Sequence, residues 1–222
     1  MRALVFDVNE TLLDLSVLDP HFERVFGDAR ARREWFSLVL SNALCLTITG
    51  DHTDFGAVGR ASLQMLADRR GVALADEDRA TLAAAMTSLP AHADVVANLE
   101  RLAGAGFRMA ALTNSPLEAA RSQLQRAGIA PFLDEVMSVD ATGRFKPARE
   151  VYEHGAARLG LATSQIRMVA AHDWDVAGAM RAGCAGAFLM RPGTARNPLY
   201  PQPDIVEPDL TRLADRIIEM EQ

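Results

Sequence analysis

The run Ala3-Leu4-Val5-Phe6, apolar throughout and cut off by Asp7 and a polar turn, constrains the fold more than any other stretch of the chain. A strand buried on both faces reads as a continuous apolar run, whereas a strand with one wet face alternates. Similar runs recur at residues 108–113, 135–139, 166–170 and 187–190, separated by helical patterns at 95–105, 117–127 and 150–159. Strand alternates with helix, so the expected architecture is an α/β core with a doubly wound parallel sheet.

Between Asp14 and about Ala93 the pattern changes to helix after helix, including 31–46, 55–70 and 76–88. This predicts an all-helical insertion over residues 15–92, dividing a core built from 1–14 and 93–222. An insertion that departs just after the first strand is expected above the carboxyl ends of the strands, where ligands bind in open α/β folds, and a lid is its natural role. Residues 191–208, with prolines at 192, 198, 201, 203 and 208, read as an irregular loop.

Composition narrows the partners. With 49% hydrophobic and 23% charged residues the chain can fill a core. Its 29 acidic against 23 basic residues, a net charge of −6, argue against a protein that grips a nucleic-acid backbone, so a small molecule is the expected partner. No apolar run approaches the roughly 20 residues that span a bilayer, and the start of the chain lacks the apolar stretch of a signal peptide, so no membrane partner and a cytoplasmic location are expected. Cys45 and Cys184 lack metal-ligand spacing and read as buried reduced thiols.

The chemistry lies at four strand ends: Asp7-Val8-Asn9-Glu10-Thr11, Thr113-Asn114-Ser115, Lys146-Pro147 and His172-Asp173-Trp174-Asp175. One polar strand end is ordinary, because loops and helix caps need such residues. Four in order are harder to dismiss, and one of them holds Lys146, the sole lysine among 23 basic residues. A lysine kept in so arginine-rich a chain suggests a place where a compact ammonium fits and a guanidinium fork does not.

In the order and spacing of these motifs the chain resembles the haloacid dehalogenase superfamily, and over nearly its whole length the L-2-haloacid dehalogenase branch. The matching elements are Asp7 to Thr11, the helical insertion, Thr113-Asn114, Lys146-Pro147, and Asp175 followed by Gly178-Ala179. The resemblance implies a Rossmann-like core with a helical cap, a homodimer, and hydrolysis of a small 2-haloacid to a 2-hydroxy acid with no metal and no cofactor. Asp7 would be the nucleophile, forming a covalent ester that splits one hard displacement into two easier steps. Lys146 would keep Asp7 ionised and Thr11 would orient it. Thr113 and the backbone N–H groups of the Val8-Asn9 turn would hold the substrate carboxylate, Asn114 would face the leaving halide, and Tyr152 falls where the family has a tyrosine. Asp175, bound to Lys146, would polarise the hydrolytic water, and Trp174 of the same loop would contact the substrate.

Departures from the family pattern carry information. The superfamily's phosphatases place a general-acid aspartate two positions after the nucleophile, where this chain has Asn9, and a magnesium-binding aspartate four before Asp175, where it has Ala171. A halide needs no proton to leave, so both losses favour metal-free chemistry at carbon. His172 stands where the branch has asparagine and is expected as a general base in ester hydrolysis. Phe36 follows Trp35 where the branch has its halide-binding arginine, so Trp35 and Phe36 would line an altered halide pocket, with Arg32 and Arg33 as solvated charges or substitute cations. The alternatives are a Mg²⁺-dependent phosphatase of the same fold and a non-catalytic ligand-binding relative.

Overall fold

A computed structural model describes residues 1–221. The chain folds as two compact units, one formed by residues 1–14 with 90–221 and the other by residues 15–89. The expected insertion ran to residue 92. Instead the returning chain pairs early with the departing one: the Asp14 N–H donates to the Pro90 carbonyl, Leu13 bridges Ala91, and the His92 N–H donates to the Leu12 carbonyl.

The first unit holds a six-stranded sheet, β1 (Ala3–Phe6), β2 (Met109–Thr113), β3 (Glu135–Ser138), β4 (Ile166–Ala170), β5 (Ala185–Leu189) and β6 (Ile205–Glu207). Its order is β3-β2-β1-β4-β5-β6 with every pairing parallel. β1, β2 and β4 are buried along their whole length, which is why they read as unbroken apolar runs. The order of strands reverses at β1 and β4, so the loops after these two strands diverge and leave a crevice at their carboxyl ends. Phe6 lies level with Ala111 of β2 and Val169 of β4, which brings the strand ends carrying Asp7, Thr113 and Ala171 to one height.

One strand was not expected. β6 lies inside the stretch that reads as loop, pairing Ala187 with Ile205 at the sheet edge. Three residues set between Pro203 and Pro208 are too few to show a period. β5 begins at Ala185 rather than 187 because Gly186 belongs to it: a Cβ there would lie 2.7 Å from Val176 Cγ1, so the missing side chain lets a helix pack close.

The second unit is all helical: α1 (Asp19–Phe26), α2 (Ala31–Thr49), α3 (Phe55–Arg70) and α4 (Asp76–Met86). Phe22 of α1 meets Trp35 of α2 with ring centroids 5.4 Å apart, and the Trp35 indole N–H donates to the Gly59 carbonyl of α3 at 2.9 Å. Asp54 caps α3 by accepting from the Ala57 N–H. Arg32, expected to be solvated, is buried and paired with Asp19, whereas Arg33 is exposed. The reason is the neighbouring helix, whose acidic first residue sits against this face of α2. Cys45 is exposed rather than buried, while Cys184 is buried and its thiol is pushed up to about 11 by burial and by Asp175. The helices completing the first unit are α5 (Val95–Gly104), α6 (Leu117–Arg126), α7 (Arg149–Arg158), α8 (Asp173–Arg181) and α9 (Leu210–Glu221). Among the described residues no helix is long and apolar enough to cross a membrane.

Candidate active site

The loop after β1 turns sharply. Glu10 takes a left-handed φ of 62°, and both the Leu12 and Leu13 N–H groups fold back onto the Val8 carbonyl. Asp7 is buried at the head of this loop, its own N–H tied to the Val169 carbonyl of β4. Thr11 reaches back across the turn and donates to Asp7 Oδ2 at 2.7 Å. Because the same hydroxyl accepts the Ala171 N–H at 2.9 Å, its hydrogen is directed at the carboxylate.

Lys146 is the centre of the charge arrangement. Its Nζ lies 3.1 Å from Asp7 Oδ1 and 2.8 Å from Asp175 Oδ2, and its side chain is 0% exposed. The Lys146 N–H donates to Asn114 Oδ1 at 3.0 Å, so the loop after β2 places the lysine's backbone. Burial pushes the Asp7 carboxyl up, but the Lys146 charge, His172 and the hydrogen bonds from Thr11 and Lys146 outweigh it and hold Asp7 below the ordinary carboxylate value. Burial wins at Asp175, whose carboxyl is raised despite Lys146. At Lys146 burial disfavours the charge, yet the two carboxylates more than offset it and the ammonium is held above the usual lysine value.

Tyr152, expected against substrate, has its hydroxyl on Asp175 Oδ1 at 2.7 Å and is itself 2% exposed. It positions Asp175, and burial together with that carboxylate holds the phenol well above its ordinary value. Gly178 makes room for the arrangement: a Cβ there would lie 2.4 Å from Pro147 Cβ and 2.8 Å from the Tyr152 hydroxyl.

The polar groups around Asp7 are also committed. Asn9 donates from Nδ2 to Ser115 Oγ at 3.2 Å, while its Oδ1 is buried without a hydrogen-bond partner. An orphaned buried acceptor costs about 1–3 kcal/mol and is the kind of local cost that functional sites carry. Thr113 Oγ1 accepts from the Ser115 N–H at 3.1 Å, which shapes the turn after β2. The His172 ring stacks on Trp174, with centroids 5.2 Å apart at 22°. Its Nε2 lies 3.2 Å from the Asn9 carbonyl oxygen, 3.7 Å from Asp7 Oδ2 and 3.9 Å from Glu10 Oε2. A carbonyl cannot donate, so Nε2 carries hydrogen and is a donor here. The general-base role expected for His172 therefore does not fit this nitrogen.

Arg191 escaped the sequence reading. Its guanidinium is buried, with Nε and Nη2 on the Thr11 carbonyl at 3.3 and 3.0 Å and Nη1 on Asp94 Oδ2 at 2.8 Å, so it clamps the far end of the Asp7 loop. Ser115, present in the second strand-end motif but given no role there, holds Asn9 through its Oγ, and its carbonyl accepts from the Ser138 hydroxyl at 2.8 Å. The structure thus brings together Asp7, Asn9, Thr11, Thr113, Asn114, Lys146, Tyr152, His172 and Asp175. Trp35 and Phe36 belong to the helical unit, where both are buried.

The donor set does not suit a divalent cation. Both Asp7 oxygens are taken by Lys146 and Thr11, both Asp175 oxygens by Lys146 and Tyr152, and Ala171 offers no side-chain ligand. Among the described residues no group of three or more His, Cys, Asp or Glu side chains is placed to hold a metal ion.

Residues 1–183 match the haloacid dehalogenase-like hydrolase family model. The chain is 30% identical to (S)-2-haloacid dehalogenase 1 of Pseudomonas sp. strain CBS-3, covering 85% of this chain and 81% of that protein. It is 29% identical to (S)-2-haloacid dehalogenase 4A of Burkholderia cepacia, covering 87% and 84%. The crystal structure of an L-2-haloacid dehalogenase superposes with a TM-score of 0.94 at 25% identity, covering 98% of each chain. The chain therefore belongs to the haloacid dehalogenase-like hydrolases, in the branch of the (S)-2-haloacid dehalogenases.

Proposed function

We propose that this protein hydrolyses short 2-haloacids to 2-hydroxy acids through an ester on Asp7. A carboxylate oxygen of Asp7 attacks the halogen-bearing carbon, the new C–O bond forms as the carbon–halogen bond breaks, and the halide leaves with the bonding pair. Water then adds to the Asp7 carboxyl carbon. The ester C–O bond on the enzyme side breaks, the 2-hydroxy acid departs with the old carboxylate oxygen, and one proton is released. Lys146 serves both steps, keeping Asp7 ionised for attack and stabilising charge on the carboxyl oxygens during hydrolysis. Asp175, its basicity raised by burial and its position set by Tyr152 and Lys146, is the group we assign to receive the proton from water.

The observation that carries this reading is Asn9. The position from which a leaving alcohol would be protonated holds an amide bound to Ser115, so the leaving group must depart without a proton, as a halide does. We assign Thr113, Asn114 and the Val8-Asn9 backbone to substrate binding, along with Trp35, Phe36 and Trp174, as the family resemblance implies. A homodimer and a cytoplasmic location belong to the same proposal, supported by the resemblance and the composition; light scattering tests the first.

The test is halide release from fluoro-, chloro- and bromoacetate and from both enantiomers of 2-chloropropionate, in EDTA and in Mg²⁺, with Asp7→Asn as control. Metal-independent release that vanishes in Asp7→Asn is expected. No release in EDTA, with phosphate-ester hydrolysis appearing in Mg²⁺, would overturn the reading.

A further inference from the structure

Among the described residues Glu10 is the only one other than glycine with a left-handed φ. Such a backbone is strained in a residue that carries a Cβ, and it persists only where the surroundings hold it. Two side chains from outside the loop do so. His92 Nε2 lies 3.2 Å from the Glu10 carbonyl oxygen, and Arg191 sets Nη2 and Nε on the Thr11 carbonyl at 3.0 and 3.3 Å. The second of these contacts falls on the residue whose hydroxyl holds Asp7.

We infer that Arg191 is a positioning residue for the nucleophile: by holding the Thr11 carbonyl it fixes the backbone from which the Thr11 hydroxyl reaches Asp7 Oδ2. This rests on the reading of Asp7 as the nucleophile of haloacid hydrolysis. The path is short, because the Thr11 hydroxyl donates to Asp7 Oδ2 at 2.7 Å. The Ala171 N–H meets the oxygen of that hydroxyl at 2.9 Å but does not hold the Thr11 backbone. Without the guanidinium the Thr11 peptide can turn to relieve the strain at Glu10, and the hydroxyl turns with it. Lys146 would then grip Asp7 at Oδ1 while Oδ2 lost the donor that sets its orientation.

The chemistry of the clamp calls for arginine. A planar guanidinium can meet the Thr11 carbonyl along one edge and Asp94 Oδ2, at 2.8 Å, with its remaining nitrogen, which a single ammonium cannot do. Asp94 is placed for this purpose. Its Oδ2 accepts both the Arg191 N–H and, at 2.9 Å, the Leu210 N–H at the start of α9. Its Oδ1 is buried with no hydrogen-bond partner among the described residues, so the carboxylate serves the guanidinium at a cost to its own satisfaction. Arg191 thereby ties Asp7 to three segments outside the four strand-end motifs: the loop after β5, the start of α5 and the start of α9.

The test measures kcat and KM for halide release from chloroacetate in wild type, Arg191→Met, Thr11→Val and the double variant, alongside crystal structures of wild type and Arg191→Met. A misplacement of about 1 Å in a reacting group costs up to ~100-fold, so Arg191→Met should lose on the order of tenfold or more in kcat with KM little changed. In its structure the Thr11 hydroxyl should have left Asp7 Oδ2. The double variant should be no slower than Thr11→Val, because Arg191 acts through Thr11. Arg167→Met, which breaks a buried ion pair at the amino end of β4, should keep the wild-type kcat and so separates positioning from lost stability. Arg191→Lys keeps a charge for Asp94 but cannot also make both bonds to the carbonyl, and it takes the place of Arg191→Met throughout if that variant does not fold. An unchanged kcat in Arg191→Met, losses that multiply in the double variant, an equal loss in Arg167→Met, or a Thr11–Asp7 contact kept in the variant structure each overturns the inference. If wild type releases no halide from any haloacid, the haloacid reading fails, and the structures alone decide the role of Arg191: a lost Thr11–Asp7 contact upholds it and a kept one defeats it.

Discussion

Replacing Lys146 by methionine keeps most of the side-chain volume and removes the charge, and its consequences can be worked from the structure. The Nζ makes two charge-assisted hydrogen bonds, to Asp7 Oδ1 at 3.1 Å and to Asp175 Oδ2 at 2.8 Å, and the side chain is fully buried. Hydrogen bonds to charged groups contribute about 1.5–3 kcal/mol each, and breaking a buried ion pair costs about 3–5 kcal/mol, so a loss of about 3–5 kcal/mol is expected. For a chain of this size each kcal/mol moves Tm by roughly 2–4 °C, which gives a fall of about 6–20 °C. The two carboxylates left behind cannot both stay ionised, so a shared proton should appear between them and quench the nucleophile. Urea unfolding reads the stability and a halide electrode reads the turnover. Lys146→Arg tests the shape argument: it keeps the charge but brings a bulky planar fork into a site with no exposed surface, and it should recover neither quantity fully. A Lys146→Met variant within about 0.5 kcal/mol of wild type, or one with full halide release, would refute this description of the charge cluster.

Tyr152→Phe removes the donor on Asp175 Oδ1, and kcat should fall several-fold with little change in KM, as steady-state kinetics on the best haloacid would show. Gly178→Ala pushes a methyl into Pro147 and the Tyr152 hydroxyl and should destabilise by about 1–3 kcal/mol in urea, with activity lost in parallel. Arg167 of β4, fully buried, pairs with Asp204 and with Glu221 of α9; Arg167→Met should cost about 3 kcal/mol, the low end for a buried pair because Asp204 is half-exposed. Burial pushes the Glu221 and Asp204 carboxyls up, but contacts with Arg167 more than offset this and hold both below their ordinary values. Their contribution to stability is therefore fully present above the ordinary carboxylate values and is lost as pH falls below these and through the lowered values of the folded state. The stability gap between wild type and Arg167→Met should accordingly narrow in acid, and a gap that stays constant would count against the pairing.

The core of the fold was legible because β1, β2 and β4 are buried on both faces, and such strands leave an apolar run that a polar residue ends abruptly. Asp7 and Lys146 stood out for reasons internal to the chain, one by terminating the first run and the other by being the sole lysine. What stayed hidden depends on contacts between distant segments. Arg191 carries no signal in an arginine-rich sequence, and its role appears only once β5 delivers it to the Thr11 carbonyl. The Tyr152 hydroxyl finds Asp175 rather than an open pocket because α7 and α8 meet at Gly178. Arg32 reads as a surface charge until Asp19 of a neighbouring helix covers it. β6 exists because β5 offers a free edge, and three residues between prolines cannot announce that.

The central claim is that Asp7, not water, attacks the substrate, and a single turnover in heavy-oxygen water with enzyme in excess tests it most directly. Mass spectrometry of the peptide bearing Asp7 should then show one heavy oxygen in its carboxylate, and the first 2-hydroxy acid released should carry none. Heavy oxygen in that first product, with Asp7 unlabelled, would mean that water displaces the halide directly and would contradict the covalent route.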